Sequence, residues 1–205
     1  MTSGIEILPA DGLVTFFVIP AGAGATVPSE EARPTSEIIP VSFVGGAAAV
    51  QAINANGDSR IYYQDYDNSI QEIAVNGPLT TGRSTGSSLR VPANEVLAGT
   101  PIAATTIAGN DLQQIHVYFL SPDYVLSEYA FGGGIWQGGP NCTDCLTANG
   151  LVVQRGSEVL YALGSLQAPS GTAFVRVGFV SAGAPSTLSE AVWSPGVDWQ
   201  VAQLN

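Results

Sequence analysis

Arg60-Ile61-Tyr62-Tyr63-Gln64-Asp65-Tyr66-Asp67-Asn68-Ser69-Ile70-Gln71-Glu72 sets two apolar-alternating runs around a turn-rich centre, Asp65 to Ser69. That pattern predicts a β-hairpin. Pairing about a centre at Tyr66 puts Arg60 directly across from Glu72, and opposed residues of an antiparallel pair have Cβ atoms roughly 5 Å apart. The hairpin then presents a cation and a carboxylate side by side on one face. Ile61 and Tyr63, on the other face, are expected core.

The arrangement occurs three times. Each unit opens with a short apolar strand: Ala47–Ala52, Pro101–Thr106 and Val159–Leu163. A polar turn follows, at Asn54–Asp58, Gly109–Asp111 and Ala168–Gly171. The hairpin comes next. Its first strand holds Arg60-Ile61-Tyr62-Tyr63, His116-Val117-Tyr118-Phe119 or Arg176-Val177-Gly178-Phe179. Its second holds Ile70-Gln71-Glu72, Leu126-Ser127-Glu128 or Leu188-Ser189-Glu190. The later two units close on a Gly-rich turn and a Trp, Gly132-Gly133-Gly134-Ile135-Trp136 and Ser194-Pro195-Gly196-Val197-Asp198-Trp199. The basic position thus recurs at 60, 116 and 176, and three strands plus a fourth per period is the anatomy of a propeller blade. One blade cannot bury both of its faces; stacking blades does.

The expected fold is therefore all-β: a single propeller-type domain of four-stranded antiparallel blades at 41–95, 96–150 and 151–205, preceded by a divergent segment or partial blade at 1–40. In that segment Ile5–Leu8 and Gly12–Ile19 read as strands, residues 21–25 as a small-residue loop and residues 30–34 as an exposed connection. Composition agrees with the class. Of 205 residues, 45% are hydrophobic and only 11% charged, with 24 Gly and 13 Pro, and no long stretch has helical periodicity.

The formal net charge is −11, and all six basic residues are Arg. An acidic surface without Lys argues against nucleic acid and against anionic membranes as partners. The apolar run Leu13–Ile19 is too short to span a bilayer, and the first residues lack a basic leader region. The expectation is a soluble chain without membrane insertion, cytoplasmic or exported without a classical signal. Cys142 and Cys145 form a lone CxxC with one His, His116, in the whole chain, short of the four ligands of structural zinc. No metal and no cofactor are expected. The pair reads as free thiols or a local disulfide in a loop.

The repeated residue types suit a neutral sugar. Arg offers a rigid fork of donors, Glu offers charge-assisted acceptors, and an aromatic ring packs on the apolar C–H face. The basic residue and the Glu are 12 apart in Arg60/Glu72 and His116/Glu128 and 14 apart in Arg176/Glu190. In combination, Arg-Ile-Tyr-Tyr-Gln-Asp, then Ile-Gln-Glu, then Gly-Gly-x-x-Trp resembles the fungal fucose-specific lectins of the Aleuria type. The resemblance covers residues 41 to about 139 well and 150–200 more weakly. It implies a propeller lectin that binds L-fucose or fucosylated glycans between blades, using Arg and Glu of one blade and Trp of the next.

Carried over by position, the first cleft uses Arg60, Glu72 and Trp136. The second uses His116, Glu128 and Trp199, with His116 standing where the family has Arg and offering fewer donors. A third uses Arg176 and Glu190, but residues 1–45 contain no Trp, and the first unit's own Trp position reads Pro78-Leu79-Thr80. That site is expected to be incomplete unless a partner chain supplies Trp136 or Trp199, and a homo-oligomer is the expected assembly. Two other readings compete: a self-assembling structural propeller with degenerate sugar sites, and a propeller glycosidase. The latter is disfavoured because each repeat carries one motif Glu beside a cation, whereas glycoside hydrolysis uses two carboxyl groups.

Overall fold

A computed structural model describes residues 43–52, 57–78, 81–107, 112–167, 170 and 172–204. The strands, loop and connection expected within residues 1–40 lie outside the described residues. So do Asn54–Asn56 and Gly109–Asp111, residues 168, 169 and 171 of the third polar turn, and Leu79 and Thr80.

Three antiparallel sheets follow one another along the chain. The first blade comprises β1 (Phe43–Gln51), β2 (Ser59–Asp65), β3 (Ile70–Val75) and β4 (Ser84–Gly86), and a two-residue strand β5 (Arg90–Val91) returns to pair with β3. The second comprises β6 (Ala103–Thr106), β7 (Ile115–Leu120), β8 (Leu126–Gly132) and β9 (Ile135–Gly138). The third comprises β10 (Leu160–Gln167), β11 (Thr172–Phe179), β12 (Ser189–Ser194) and β13 (Val197–Gln203). Each sheet is a meander in chain order, as expected of propeller blades. Among the described residues no helix is long and apolar enough to cross a membrane.

The inner strands meet: β1 packs on β6, and β6 on β10. Their backbones come too close for side chains at two points. A Cβ on Gly46 would stand 2.8 Å from the Ile102 nitrogen, and one on Gly164 would stand 2.4 Å from the Thr106 carbonyl oxygen. Apolar residues between blades fill two cores. Tyr62, Ile70, Val91, Ile102, Val117 and Phe119 join the first blade to the second, while Tyr118, Leu126, Leu146, Val177, Phe179 and Ala191 join the second to the third. Each blade thus buries a face on its neighbour. A buried polar residue, Gln64, ties the first hairpin to the next blade's approach: its amide donates to Leu97 O at 2.9 Å and accepts from Gly99 N–H at 2.8 Å.

The hairpin register differs from the one expected. Tyr62, not Arg60, stands opposite Glu72, and Arg60 faces Ala74. The loop is Tyr66-Asp67-Asn68, closed by the Asp65 N–H on Ser69 O at 2.9 Å, with Asn68 in the left-handed region at φ 67°. A left-handed residue after a tight turn is the usual geometry of a three-residue hairpin loop. It moves the centre from Tyr66 to Asp67 and so slides the pairing by two residues. The second blade repeats it with Tyr124 at φ 61°, setting Tyr118 opposite Glu128 and His116 opposite Ala130. In the third blade Gly178 opposes Glu190, and Arg176 opposes Val192. A two-residue offset keeps the basic residue and the Glu on the same face of the sheet, as diagonal neighbours.

Candidate functional site

The first cleft lies between β2–β3 of one blade and β9 of the next. Glu72 is 4% exposed, and its Oε1 accepts from both the Ser88 N–H and the Ser88 hydroxyl at 2.9 Å. The same hydroxyl accepts from Trp136 Nε1–H at 3.0 Å, and the Trp136 ring meets Tyr62 edge-on at 6.1 Å. The structure therefore joins Glu72 and Trp136 from different blades through Ser88. It does not join Arg60 to Glu72. Arg60 donates instead to Asp58 Oδ1 at 2.6 Å and to Ser59 O at 2.9 Å. The guanidinium has a carboxylate two residues back, Asp58, where the other blades carry Gln114 and Phe174, and the expected side-by-side ion pair is absent in this blade. Among the described residues, the buried Glu72 Oε2 and Tyr62 hydroxyl, which stand across from each other, meet no third group. Burial, and then the neighbouring Glu72 carboxylate, push the Tyr62 pKa well up.

In the second cleft the carboxylate is fully held. Glu128 Oε1 lies 2.7 Å from His116 Nδ1 and accepts from the Tyr118 hydroxyl at 2.9 Å, while Oε2 accepts from the Leu146 N–H at 2.6 Å. His116 stacks on Tyr118 at 6.3 Å, and Trp199 of the third blade meets Tyr118 edge-on at 6.4 Å. His116 and Trp199 thus both meet Tyr118, which bonds Glu128; the resemblance implies the same three residues for this cleft. Burial, then Glu128, drive the Tyr118 pKa well above its ordinary value. Beside His116 an open cleft of about 410 Å³ runs between the blades, walled in part by Gln114, Ala130, Gln137 and Trp193.

The third pair stands on the last blade. Arg176 Nε and Nη2 both donate to the Glu190 carboxylate, Nη2 at 2.6 Å and Nε at closer range. These bonds to Glu190 raise the Arg176 pKa. No Trp from a following blade reaches this pair among the described residues. A tyrosine does, from an unexpected strand. Gly178 occupies the position of Tyr62 and Tyr118, and Tyr161 on β10 lies across from it. A Cβ on Gly178 would stand 1.9 Å from Tyr161 Cζ, so the ring covers the glycine. Burial, then Glu190, raise the Tyr161 pKa.

Sequence reasoning missed Ser88, the Leu146 N–H and Tyr161. One signal was available for the first two. Leu89 and Leu146, both buried, each follow their blade's Glu by a nearly constant interval, and each marks the loop that returns over the carboxylate. The cysteines, left open between thiols and a bridge, form a disulfide, Cys142–Cys145, in that loop. Among the described residues no group of three or more His, Cys, Asp or Glu side chains is placed to hold a metal. A buried acceptor, an adjacent guanidinium and a half-buried indole together can bind a neutral polyhydroxyl ligand.

The sequence matches the family model described as fungal fucose-specific lectin over residues 43–148. A fucose-specific lectin of Aleuria aurantia is 32% identical over 152 residues, which is 72% of this chain and 45% of that protein. One from Aspergillus oryzae is 36% identical over 85 residues, 42% of this chain and 25% of that protein. The chain spans less than half the length of these relatives. Among solved structures, the Aleuria aurantia lectin, described as a six-bladed β-propeller with a novel fucose recognition mode, superposes with a TM-score of 0.58 at 28% identity, covering 81% of this chain and 51% of that one. A variant of that lectin in complex with alpha-methyl-L-fucoside gives 0.59 at 29%, with the same coverage.

Proposed function

Because the chain belongs to the fungal fucose-specific lectin family, we propose that it is a carbohydrate-binding lectin recognising L-fucose or fucosylated glycans between adjacent blades, without catalysis. The observation that carries the reading is the buried Glu72 carboxylate, joined through Ser88 to Trp136 of the next blade, its Oε2 meeting no described group but the Tyr62 phenol opposite. A buried carboxylate oxygen has lone pairs for more than one donor, and a sugar hydroxyl would supply a further one. Arg60 keeps unused donors for a second hydroxyl, and the Trp136 face takes the apolar C–H surface of the ring. Arg60 and Glu72 have separate partners, so a ligand need not part them. At the second cleft it must compete with the His116–Glu128 contact, and at the third with the Arg176–Glu190 pair. The first cleft is therefore the strongest of the three.

Titration with alpha-methyl-L-fucoside, followed by Trp fluorescence, tests the reading. A saturable change is expected. Arg60→Ala should weaken it by about 1.5–3 kcal/mol, the contribution of hydrogen bonds to charged groups. No response from the native protein to any fucoside, with Trp136→Ala behaving identically, sinks it.

The proposal includes a homo-oligomer. Leu163, 49% exposed, shares the Arg176 face of the third blade, opposite the face that packs on the second blade. Sedimentation that returns a monomer at working concentration removes this part alone.

A further inference from the structure

The segment after β9 leaves Glu128 and comes back to it. Gly139 N–H donates to the Glu128 carbonyl at 3.2 Å, and Cys142 N–H donates to Gly139 O at 3.2 Å. Cys145 then leads a short 3-10 turn, Leu146–Asn149. From it Leu146 N–H reaches Glu128 Oε2 at 2.6 Å, and Thr147 Oγ1 accepts from Glu128 N–H at 2.9 Å. The Cys142–Cys145 bond staples the middle of this circuit. Cys145 is 5% exposed, whereas Cys142 is half-buried and open to a reagent. Glu72 in the first cleft is held by a loop of the same topology with no cysteine: its N–H donates to Leu89 O at 3.2 Å, and its Oε1 takes both Ser88 donors at 2.9 Å.

We infer that the Cys142–Cys145 disulfide is a positioning element of the second cleft, fixing Leu146 N–H on Glu128 so that the carboxylate faces His116 and the ligand, and that reducing it weakens ligand binding at this cleft alone. The inference rests on the fucose-binding reading above. The reaction is closed with a dithiol. It supplies two electrons and two protons, the Cys142–Cys145 bond breaks, both sulfurs leave as thiols, and the dithiol becomes its cyclic disulfide. The freed loop gains conformational entropy, and the Leu146 N–H is no longer presented at a fixed point. An anionic carboxylate with one donor fewer binds a hydroxyl less well oriented.

The two clefts serve as each other's control. Trp136→Ala leaves the second cleft and Trp199→Ala leaves the first, and each is titrated with alpha-methyl-L-fucoside before and after dithiothreitol. Second-cleft affinity is expected to fall roughly three- to tenfold, the size of one weakened charge-assisted hydrogen bond. First-cleft affinity is expected to hold within twofold. Cys142→Ser/Cys145→Ser should reproduce the reduced protein without reagent. Equal weakening at both clefts, which a general loss of structure would give, overturns the inference, and so does no change at either. If the oxidised protein binds fucoside at neither cleft, the functional reading fails, and amide exchange decides the inference separately. The Leu146 amide should exchange at least tenfold faster after reduction, with the Ser88 amide unchanged. A Leu146 amide equally protected in both states overturns it.

Discussion

Ser88 links a carboxylate to an indole across two blades, and Ser88→Ala isolates that link. The substitution removes the hydroxyl bond to Glu72 Oε1 at 2.9 Å and the bond from Trp136 Nε1–H at 3.0 Å. The Ser88 backbone N–H stays on the same carboxylate oxygen at 2.9 Å. A hydrogen bond to a charged group contributes about 1.5–3 kcal/mol. With one donor retained, the loss at Glu72 belongs at the low end of that range. Trp136 is half-buried, so water can take its N–H and that bond counts for about 0.5 kcal/mol. Folding stability should fall by about 2 kcal/mol, roughly 4–8 °C in Tm for a chain of this size. Fucoside affinity at the first cleft should fall about tenfold, because both the acceptor and the stacking ring lose orientation. The assay is a double-substitution cycle with Trp136→Phe, which keeps a ring and deletes the N–H, read by denaturant unfolding and by fucoside titration. If Ser88 works through the indole, the two substitutions are coupled, and the second costs less in the presence of the first. Additivity within about 0.5 kcal/mol, the behaviour of independent sites, refutes the link.

Alkaline pH should unfold the protein through its buried phenols. Tyr62 and Tyr118 have folded-state pKa values raised above 10.0, first by burial and then by Glu72 and Glu128, and Tyr129 is pushed up to about 12 by burial and its hydrogen bond to Glu95. The folded state then keeps protons that the unfolded state releases, so this stability is complete below about pH 10 and is lost as pH rises beyond it. Phenolate absorbance from these residues is expected only with loss of native Trp fluorescence, and their titration in an intact fold contradicts the burial argument. In the third blade, Gly178→Ala forces a Cβ to within 1.9 Å of Tyr161 Cζ. Overpacking of this kind costs about 1–3 kcal/mol, and Tyr161→Ala should relieve most of it; a denaturation midpoint unmoved by Gly178→Ala rejects the placement of the ring.

The blades were legible because they repeat. A basic residue at 60, 116 and 176 and a Glu at 72, 128 and 190 mark the same two strands three times, and the Trp at 136 and 199 follows its own unit's Glu by eight and nine residues. That constancy marks the blades; the pairing of each Glu with a Trp of the next blade is what the family resemblance implies. The register was not legible. It depends on Asn68 and Tyr124 adopting positive φ, and neither is the glycine that usually announces it. Ser88 and Leu146 escaped because their contributions come from loops, two of their three donors being backbone N–H groups that any residue supplies. Arg60 escaped in a different way. Its acceptor, Asp58, lies two residues away in the same chain segment, at a position that is Gln114 or Phe174 in the other blades and offers them no carboxylate.

The register correction changes what the repeat is. An Arg opposite a Glu suggests that an ion pair defines each blade, yet the cation varies from Arg to His to Arg and in the first blade bonds elsewhere. A tyrosine ring beside the carboxylate is present in every blade. Tyr62 and Tyr118 come from the strand directly opposite Glu72 and Glu128. In the third blade that position is Gly178, and Tyr161 enters from the adjacent inner strand over the space the glycine leaves. In the first two blades the inner-strand partner of the tyrosine is small, Ala48 or Ala103. Each cross-strand pair therefore holds one tyrosine and one residue small enough to lie under it, with the order reversed once. Packing requires a single large ring per pair, since two would collide and none would leave a void beneath the carboxylate. The phenol is thus the structural constant on which the Glu rests. The cation above it is free to vary, and it is there, at Arg60, His116 and Arg176, that the three clefts are made unequal.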